Sequence, residues 1–355
     1  MKASTRVFVY EYLSGGGLPA ASTDSESSDL LAQGRAMRDA IVGDLAEIAG
    51  VATTYATSID PIHAPAKAFA SPIFAEQGES AFEFVGRTAA SHDRVWIVAP
   101  ETDGILADLR HCVPDARWIG CSAESIRIAS SKRATSERLR ESGISTTRGA
   151  DAGVAGGIDA VRWVVKPDDG AGACDTRVHA TLAGALADRD GRGTSRRRTT
   201  VEAWEGGEAL SLSLLCAIDQ VELLSVNRQR IEIGDDGAVH YRGVDIDIPR
   251  DARRDAVLAS LARDVARALP GLGGYVGVDV VMRPDGAPVV IEVNPRVTCS
   301  YVGLSRALGR NVARAILKLH AVDVDSDAII HEPAVGAARA SADDVAAACS
   351  RAKVR

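Results

Sequence analysis

Two acids and an amide stand among valines in the segment GVDVVMRPDGAPVVIEVNPR, residues 277–296. The segment reads as two strands around a turn centred at residues 285–286, and that centre places Asp279 directly opposite Glu292. Asn294 lies on the same face as Glu292, because side chains alternate along a strand. Two carboxylates this close repel each other unless a cation or a shared proton lies between them. The oxygen-only set suits Mg²⁺, although a solvated hairpin face or a carboxyl pair that shares one proton would explain it too.

Candidate anion-binding groups occur elsewhere in the chain. A buried strand closes on Lys166, and the loop PDDGAGA follows it with Gly170 and Gly172. A lysine at the end of such a strand is unusual, and the backbone N–H groups of the loop can fold around an anion. Lys132 falls on a predicted helix, where a solvated lysine is the simpler interpretation. The glycines at 15–17 follow the first strand and indicate either a phosphate cradle or a flexible turn.

Composition limits what such a site could serve. The chain has 355 residues and a formal net charge of −7, with a pI of about 5.6. This acidity disfavours nucleic acid or an anionic membrane surface as the main partner. No apolar run is long enough for a membrane helix, and the N-terminal segment is too short and too acidic for a secretory signal, so we expect a cytoplasmic protein. The six cysteines form no C-x-x-C pair, which favours reduced thiols over metal ligands or a disulfide framework.

The first third of the chain alternates between strand and helix patterns. We predict strands at 6–13, 51–55, 94–100 and 117–121, and helices at 30–49 and 104–112. Strands separated by helices of this length indicate a small parallel sheet, whose ligands bind beyond the carboxyl ends of the strands. Glu11 lies at one such end, beside the glycines.

Helices and antiparallel strands follow. We predict helices at 123–142, 252–269 and 301–319, strands around a turn within 201–216, a strand at 223–233, a mobile loop at 188–200, and an Ala-rich tail from 332 onward. The helix within 304–319 is apolar enough to contribute to a homodimer.

Taken in order, these motifs resemble the ATP-grasp superfamily over residues 122 to 320. They are Lys132, Lys166 before the glycine loop, Glu202-Ala-Trp-Glu-Gly-Gly-Glu208, Asp279, and Glu292-Val-Asn294-Pro-Arg296. The resemblance implies an α/β fold of the mixed α+β kind, in which an N-terminal pre-ATP-grasp domain with a parallel sheet precedes two ATP-grasp subdomains that clasp ATP. The implied boundaries are 1–121 for the first domain, 122–200 and 201–325 for the subdomains, and 326–355 for the tail.

The resemblance also implies a nucleotide site. Its residues would be Lys132, Lys166, Gly170, Gly172, Glu202, Ala203, Trp204 and Glu208. The lysines would contact the phosphates beneath the glycine loop, and the backbone near Ala203 and Trp204 would hold adenine. Glu202 would lie beside the adenine amino group and Glu208 would meet the ribose hydroxyls, although the turn between them is one residue shorter here than in several members.

The metal and catalytic groups follow from the same resemblance. Asp279, Glu292 and Asn294 would hold two Mg²⁺ ions, for which Mn²⁺ could substitute. Arg296 would contact phosphate or the carboxylate substrate, and with Lys166 and Asn294 it would complete the catalytic set. Attack of a carboxylate on the γ-phosphate of ATP brings two anions together, so these cations would neutralise the repulsion. The acyl phosphate so formed would react with an amine, while the closed loop excludes water.

A narrower resemblance links the segments 9–17, 99–109 and 225–229 to the tyramine–glutamate ligase family of methylofuran biosynthesis. It implies glutamate, activated on its γ-carboxylate, and a tyramine-like amine as the substrates. Candidates for the substrate carboxylates are then Arg228, Arg242 and Arg296, and candidates for the amine are Glu11, Glu101 and Asp103. The alternatives are an ATP-grasp ligase for another amino acid, a carboxylase-type enzyme that activates bicarbonate, and a non-catalytic ATP-binding module.

Overall fold

The structure is a computed structural model that describes residues 4–17, 25–58, 70–150, 161–170, 172–193 and 199–322. The predicted tail lies outside the described residues, as does the segment 194–198 of the predicted mobile loop. Within the described ranges, no helix combines the length and the apolar character that a membrane span requires. Three β-sheets organise these residues.

The first sheet is parallel, as predicted, and it occupies the N-terminal part. Its strands are β1 (Thr5–Glu11), β2 (Val51–Ala56), β3 (Ala70–Ile73), β4 (Arg94–Val98) and β5 (Trp118–Ile119), in the order β3-β2-β1-β4-β5. The helices are α1 (Ser25–Ala46), α2 (Ala81–Ala89) and α3 (Ile105–His111). Sequence analysis missed β3 and α2, although the capping box of Ser80 and Glu83 marks the start of α2. Helix α1 also begins five residues before its predicted start.

The second sheet is small and antiparallel. It contains β6 (Trp163–Pro167), β7 (Arg177–His179) and β8 (Thr199–Ala203), in the order β7-β6-β8, with helix α6 (Leu182–Gly191) beside it. The ladder pairs Lys166 of β6 with Thr200 of β8. Helix α6 extends to Gly191, so the first residues of the predicted mobile loop are helical.

The third sheet is antiparallel and carries the acidic hairpin. Its strands are β9 (Glu208–Cys216), β10 (Val221–Ile233), β11 (Val239–Asp245), β12 (Gly274–Met282) and β13 (Pro288–Asn294), in the order β11-β10-β9-β12-β13, and α7 is Ala252–Ala268. Strands β8 and β9, which sequence analysis treated as one strand–turn–strand unit, therefore belong to different sheets. The residues between them cross from one sheet to the other.

The predicted helix at 123–142 is two helices, α4 (Ala123–Ala129) and α5 (Lys132–Glu141). The break lies at Ser131, whose hydroxyl caps α5 by accepting a hydrogen bond from the Ala134 amide. Both helices pack against β13 and α5 also packs against α7. They are therefore built onto the third sheet, although the predicted boundaries group them with the second.

The predicted helix at 301–319 is also broken. It forms a 3₁₀ turn at Cys299–Tyr301, then α8 (Leu304–Leu308) and α9 (Val312–Leu319). Gly303 and Gly309 separate these pieces with φ angles of 83° and 63°, which only glycine adopts readily. Residues on the apolar face of α9, such as Ile316, are buried, and α9 packs against α1 and β12. The face predicted for a homodimer is thus covered within the chain.

Candidate active site

Asp279 and Glu292 are directly paired across β12 and β13, as the hairpin pattern predicts. The turn is not centred where the sequence analysis placed it, because Val280 pairs with Val290 and not with Ile291. Ile291 is the extra residue of a β-bulge, which shifts the register by one and brings the two acids opposite each other. Asn294 shares their face, since its Nδ2 lies 3.4 Å from an Asp279 carboxylate oxygen.

The acid pair is a site of excess negative charge. Burial and, after it, the charge of Glu292 raise the pKa of Asp279 to about 6, against the hydrogen bonds from Ser211, Gln229 and Asn294. Within the described ranges, no three His, Cys, Asp or Glu side chains form a metal-binding cluster. The third ligand for a cation would thus come from the Asn294 amide. Two carboxylates and an amide oxygen, short of positive charge, fit a hard cation such as Mg²⁺.

Three ion pairs with at least one buried partner accompany these acids: Lys132 with Glu292, Lys166 with Glu202, and Arg296 with Glu101. Their closest nitrogen–oxygen distances are 2.9, 2.9 and 2.8 Å. Burial lowers the pKa of Lys132, but the charge of Glu292 outweighs it and the net shift is upward. Burial alone would raise the pKa of Glu202, yet Lys166 holds it below its ordinary value. Lys132 and Glu202 therefore both favour their charged forms.

Helix α5 presents Lys132 to the site through Asp168, which sequence analysis did not single out. The Asp168 carboxylate accepts hydrogen bonds from the Arg133 amide at 2.8 Å and the Ser131 hydroxyl at 2.7 Å. The Lys132 ammonium also donates to the Gly170 carbonyl at 2.6 Å. These bonds hold the start of α5 against the glycine loop. The signal in the sequence that could have identified Asp168 is its place as the first acid of PDDGAGA.

The glycine loop has the backbone shape that an anion cradle requires. Gly172, Ala173 and Asp175 all have positive φ angles, of 69°, 63° and 51°. Such left-handed residues turn successive N–H groups toward a common side. Gly170 and Gly172 line the same cleft as Lys166.

The loop also contacts the N-terminal domain. The Asp169 carboxylate accepts a hydrogen bond from the Asp103 amide at 2.8 Å, and its carbonyl accepts one from the Thr102 hydroxyl at 3.2 Å. Gly172 packs close to Leu30 of α1, since a Cβ at this glycine would lie 3.2 Å from the leucine. The loop is therefore held across the cleft by contacts at both ends.

The segment between β8 and β9 forms one wall of the cleft. Ala203 and Trp204 line it, and their amides already donate to the carbonyls of Arg148 and Arg162, both at 2.9 Å. Adenine bound here would therefore use other backbone groups of the segment. Gly207 must be glycine, because a Cβ there would lie 2.2 Å from the Met282 carbonyl oxygen.

Most of the predicted site residues line one cleft of about 1100 Å³. All of the predicted nucleotide, metal and catalytic residues line it except Glu208. Glu208 is instead held by Arg228 at 2.6 Å on the side of the sheet away from the cleft. Arg242 is exposed and pairs with Glu232 at 2.7 Å. Of the three arginines predicted to bind substrate carboxylates, Arg296 lines the cleft, and Arg228 and Arg242 do not.

Glu11 is buried at the end of β1 and also lines the cleft. Its carboxylate accepts hydrogen bonds from the amides of Leu13 and Ser14 at 3.1 and 2.7 Å. Burial raises its pKa against these bonds. The glycines that follow form a π-helical turn at Leu13–Gly17, and the Gly17 amide donates to the Tyr12 carbonyl. Amides used inside the turn favour the flexible-turn interpretation over a phosphate cradle.

Comparisons with known proteins agree with this architecture. Residues 129–300 match a family model for the ATP-grasp domain, and residues 50–126 match one for the pre ATP-grasp 3 domain. A tyramine–L-glutamate ligase from Methanocaldococcus jannaschii is 28% identical over 214 residues, which are 60% of this chain and 58% of that protein. The aligned part is thus less than two thirds of the length of this relative.

Solved structures share the fold across most of the chain. An ATP-grasp superfamily protein from Archaeoglobus fulgidus superposes with a TM-score of 0.62 at 20% identity, covering 89% of this chain and 88% of the other. Phosphoribosylamine–glycine ligase from Thermotoga maritima gives 0.65 at 14% identity, covering 89% and 75%. The chain therefore has an ATP-grasp domain over residues 129–300, with a pre-ATP-grasp domain over residues 50–126 ahead of it.

Proposed function

We propose that this chain is an ATP- and Mg²⁺-dependent ligase that joins a carboxylate to an amine through an acyl phosphate, with glutamate and a tyramine-like amine as substrates. The observation that carries the proposal is the meeting of a paired acid hairpin with Lys132, Lys166 and Arg296 in one cleft. ATP-grasp enzymes as a family use ATP and Mg²⁺. The similarity to a tyramine–L-glutamate ligase supports the substrate pair. The proposal includes a role in one-carbon cofactor biosynthesis of the methylofuran type.

The lysines of the cleft would bind the triphosphate. Each is paired with a carboxylate, so ATP would exchange places with Glu292 at Lys132 and with Glu202 at Lys166. The phosphates then meet donors that are already charged and oriented, which limits the reorganisation that binding requires. Ions held by Asp279, Glu292 and Asn294 would neutralise phosphate charge and align the γ-phosphate.

The acid and the amine would approach from the side of the N-terminal domain. Arg296 is the candidate for the acid carboxylate, and Glu11 and Asp103 are the carboxylates that line this side. Either could receive the ammonium group of the amine and accept its proton as it attacks the acyl phosphate. The glycine loop, held against Thr102 and Asp103, would exclude water from the intermediate.

The direct test supplies purified protein with ATP, Mg²⁺ and L-glutamate, with and without tyramine, and follows phosphate release and product mass. We expect a glutamyl amide only when both substrates are present. Glutamate labelled with ¹⁸O on the γ-carboxylate should transfer one label to phosphate, because that oxygen attacks the γ-phosphorus. Phosphate without label, or turnover only with another acid or with bicarbonate, would overturn the assignment of the substrate.

A further inference from the structure

We propose that Glu101 positions Arg296 so that one edge of its guanidinium group receives the carboxylate of the acid substrate. The inference rests on the proposed function and extends it, since it assigns the carboxylate subsite and a residue behind it. Glu101 was predicted from sequence as a candidate for the amine. The structure instead pairs it with Arg296, and Glu101 does not line the cleft that Arg296 lines.

The hydrogen bonds of Arg296 leave one edge for a ligand. Its Nε donates to one oxygen of Glu101 and its Nη2 to the other, both at 2.8 Å. Its Nη1 donates to the carbonyl of Val297 at 3.2 Å. A guanidinium group has five N–H donors in a plane, so one hydrogen on Nη1 and one on Nη2 remain. Within the described part of the chain, no acceptor bonds to either of them.

Because Glu101 takes the side edge, the hydrogen that remains on Nη2 points off the end of the guanidinium plane, on the side of Nη1. In the proposed subsite, Nη2 and Nη1 would donate from this end to the two oxygens of a carboxylate. Lysine could not reproduce this, because its ammonium is a point charge without a fixed fork. The subsite is therefore suited to a planar carboxylate.

Burial fixes the orientation of this edge. The side chain of Glu101 is 4% exposed and that of Arg296 is 11% exposed. Burial lowers the pKa of Arg296, but the charge and hydrogen bonds of Glu101 outweigh it and raise the pKa overall. The guanidinium thus stays charged in a place that would otherwise disfavour charge. The pair also joins the loop after β4 to the loop after β13, so the N-terminal domain sets the geometry of the subsite.

The charge of Glu101 also weakens the electrostatic attraction between Arg296 and a bound carboxylate. A carboxylate bound to an unpaired buried arginine would be strongly stabilised and correspondingly weak as a nucleophile. Arg296 already shares its charge with Glu101, so a substrate carboxylate would be held by geometry more than by net charge. This arrangement suits a carboxylate that must either react or be released with each turnover.

The test compares Glu101→Gln, Glu101→Asp and Arg296→Lys with the wild-type protein. Binding of L-glutamate is measured by calorimetry in the presence of Mg²⁺ and a non-hydrolysable ATP analogue, and KM values for glutamate and ATP are measured in turnover. We expect the dissociation constant and the KM for glutamate to rise at least tenfold, while the KM for ATP changes less than twofold. Combining Glu101→Gln with Arg296→Lys should add little to the effect of either alone, because both substitutions disrupt the same Glu101–Arg296 pair.

Glu232→Gln is the matched control. It breaks another Glu–Arg ion pair, between Glu232 and Arg242 at 2.7 Å, that is exposed and outside the cleft, so glutamate binding should not change. The thermal midpoint of every variant is recorded, and loss of structure would raise both KM values together. Glu101→Asp keeps the charge, and it provides the test of the inference if Glu101→Gln does not fold.

Three outcomes decide the inference. Unchanged glutamate binding in Glu101→Gln and Glu101→Asp would overturn it and leave the proposed function standing. Tighter binding in Glu101→Gln would also overturn it, because Glu101 would then compete with the substrate for Arg296. If wild-type protein binds and converts no glutamate, the proposed substrate is wrong, and the same variants are measured with bicarbonate and the other amino acids. Binding of none of these by the wild type would overturn the subsite as well.

Discussion

At the scale of single residues, the site is built from charges that are costly to bury. Asp279 lies opposite Glu292 with a pKa raised to about 6, chiefly by burial. The folded chain therefore binds this proton more tightly than the unfolded chain does. Its stability falls as the pH rises from the ordinary carboxyl range to about 6, and the loss is complete above that pH. A cation bound in the proposed metal site would offset this cost, because it would favour the ionised carboxylate.

Asp279→Asn should accordingly stabilise the metal-free protein. The amide keeps one acceptor oxygen but carries no charge, so at pH 8 we expect a gain of up to about 3 kcal/mol in the free energy of unfolding. The gain should shrink at pH 5, where part of the wild type is protonated. Urea unfolding at both pH values measures it, and a variant less stable than wild type at pH 8 would show that the carboxylate carries no net cost.

Variants of the Lys166–Glu202 pair can distinguish a contribution of Lys166 to stability from a contribution to nucleotide binding. Lys166→Met leaves Glu202 buried without its partner, which costs about 3–5 kcal/mol in comparable cases. We expect ATP affinity to fall at least tenfold and stability to fall most at pH 8, where Glu202 must stay ionised. The double variant Lys166→Met/Glu202→Gln should recover the stability but not the ATP affinity. Calorimetry and urea unfolding check both, and recovery of ATP binding in the double variant would contradict a phosphate role for Lys166.

Sequence alone could identify residue types but not their partners. Asp279, Glu292 and Asn294 were found because a strand alternates its faces and a hairpin pairs its residues. Glu101 was assigned to the amine, since nothing local shows that it faces Arg296 from 195 positions away. Partners so distant in sequence are set by packing, which a single sequence does not display.

At the scale of elements, the glycine loop and its attachment matter most. Asp169 joins the loop to the Asp103 amide and the Thr102 hydroxyl. This attachment holds the loop across the cleft, where it would protect an acyl phosphate from water. Removing this attachment should affect the coupling of phosphate release to amide formation more than it affects ATP binding.

Asp169→Ala should therefore uncouple phosphate release from amide formation. We expect the ratio of phosphate to amide to rise severalfold, while the KM for ATP changes little. The matched control is Asp285→Ala, which removes a carboxylate that also accepts a backbone amide, that of Ala287, in an exposed turn away from the cleft. Parallel assays of phosphate and product measure the ratio, and a ratio equal to that of the control would argue against a protective role for the attachment.

Element boundaries show where local patterns mislead. The residues 204–207 resemble a hairpin turn because they contain two glycines, yet they cross between sheets. The register of β12 and β13 was predicted correctly from a misplaced turn centre, because the bulge at Ile291 compensated for the error. Helix α5 could be separated from α4 only by the cap at Ser131. Turn type, bulges and sheet membership depend on tertiary contacts that hydrophobic periodicity does not encode.

At the scale of the whole molecule, three ion pairs join the elements around the cleft: α5 with β13, β6 with β8, and the loop after β13 with the loop after β4. Outside these pairs, further acids line the cleft, among them Glu11, Asp103 and Asp279. ATP would add several negative charges to this cleft, so its binding should depend on cations that arrive with it.

ATP and Mg²⁺ should consequently stabilise the chain together far more than separately. A ligand that binds the folded state raises the unfolding temperature according to its affinity. ATP alone would face Asp279 and also Glu292, which loses its partner once ATP takes Lys132. We expect small shifts with ATP and a chelator or with Mg²⁺ alone, and a shift of several degrees with both. Thermal unfolding followed by fluorescence measures the three conditions.

Glu292→Gln should abolish the synergy, because it removes one carboxylate of the metal set and the partner of Lys132. Glu222→Gln is the control: it breaks an exposed pair with Arg310 and should leave the synergy intact. Equal synergy in the two variants would show that Glu292 does not link the metal to the nucleotide.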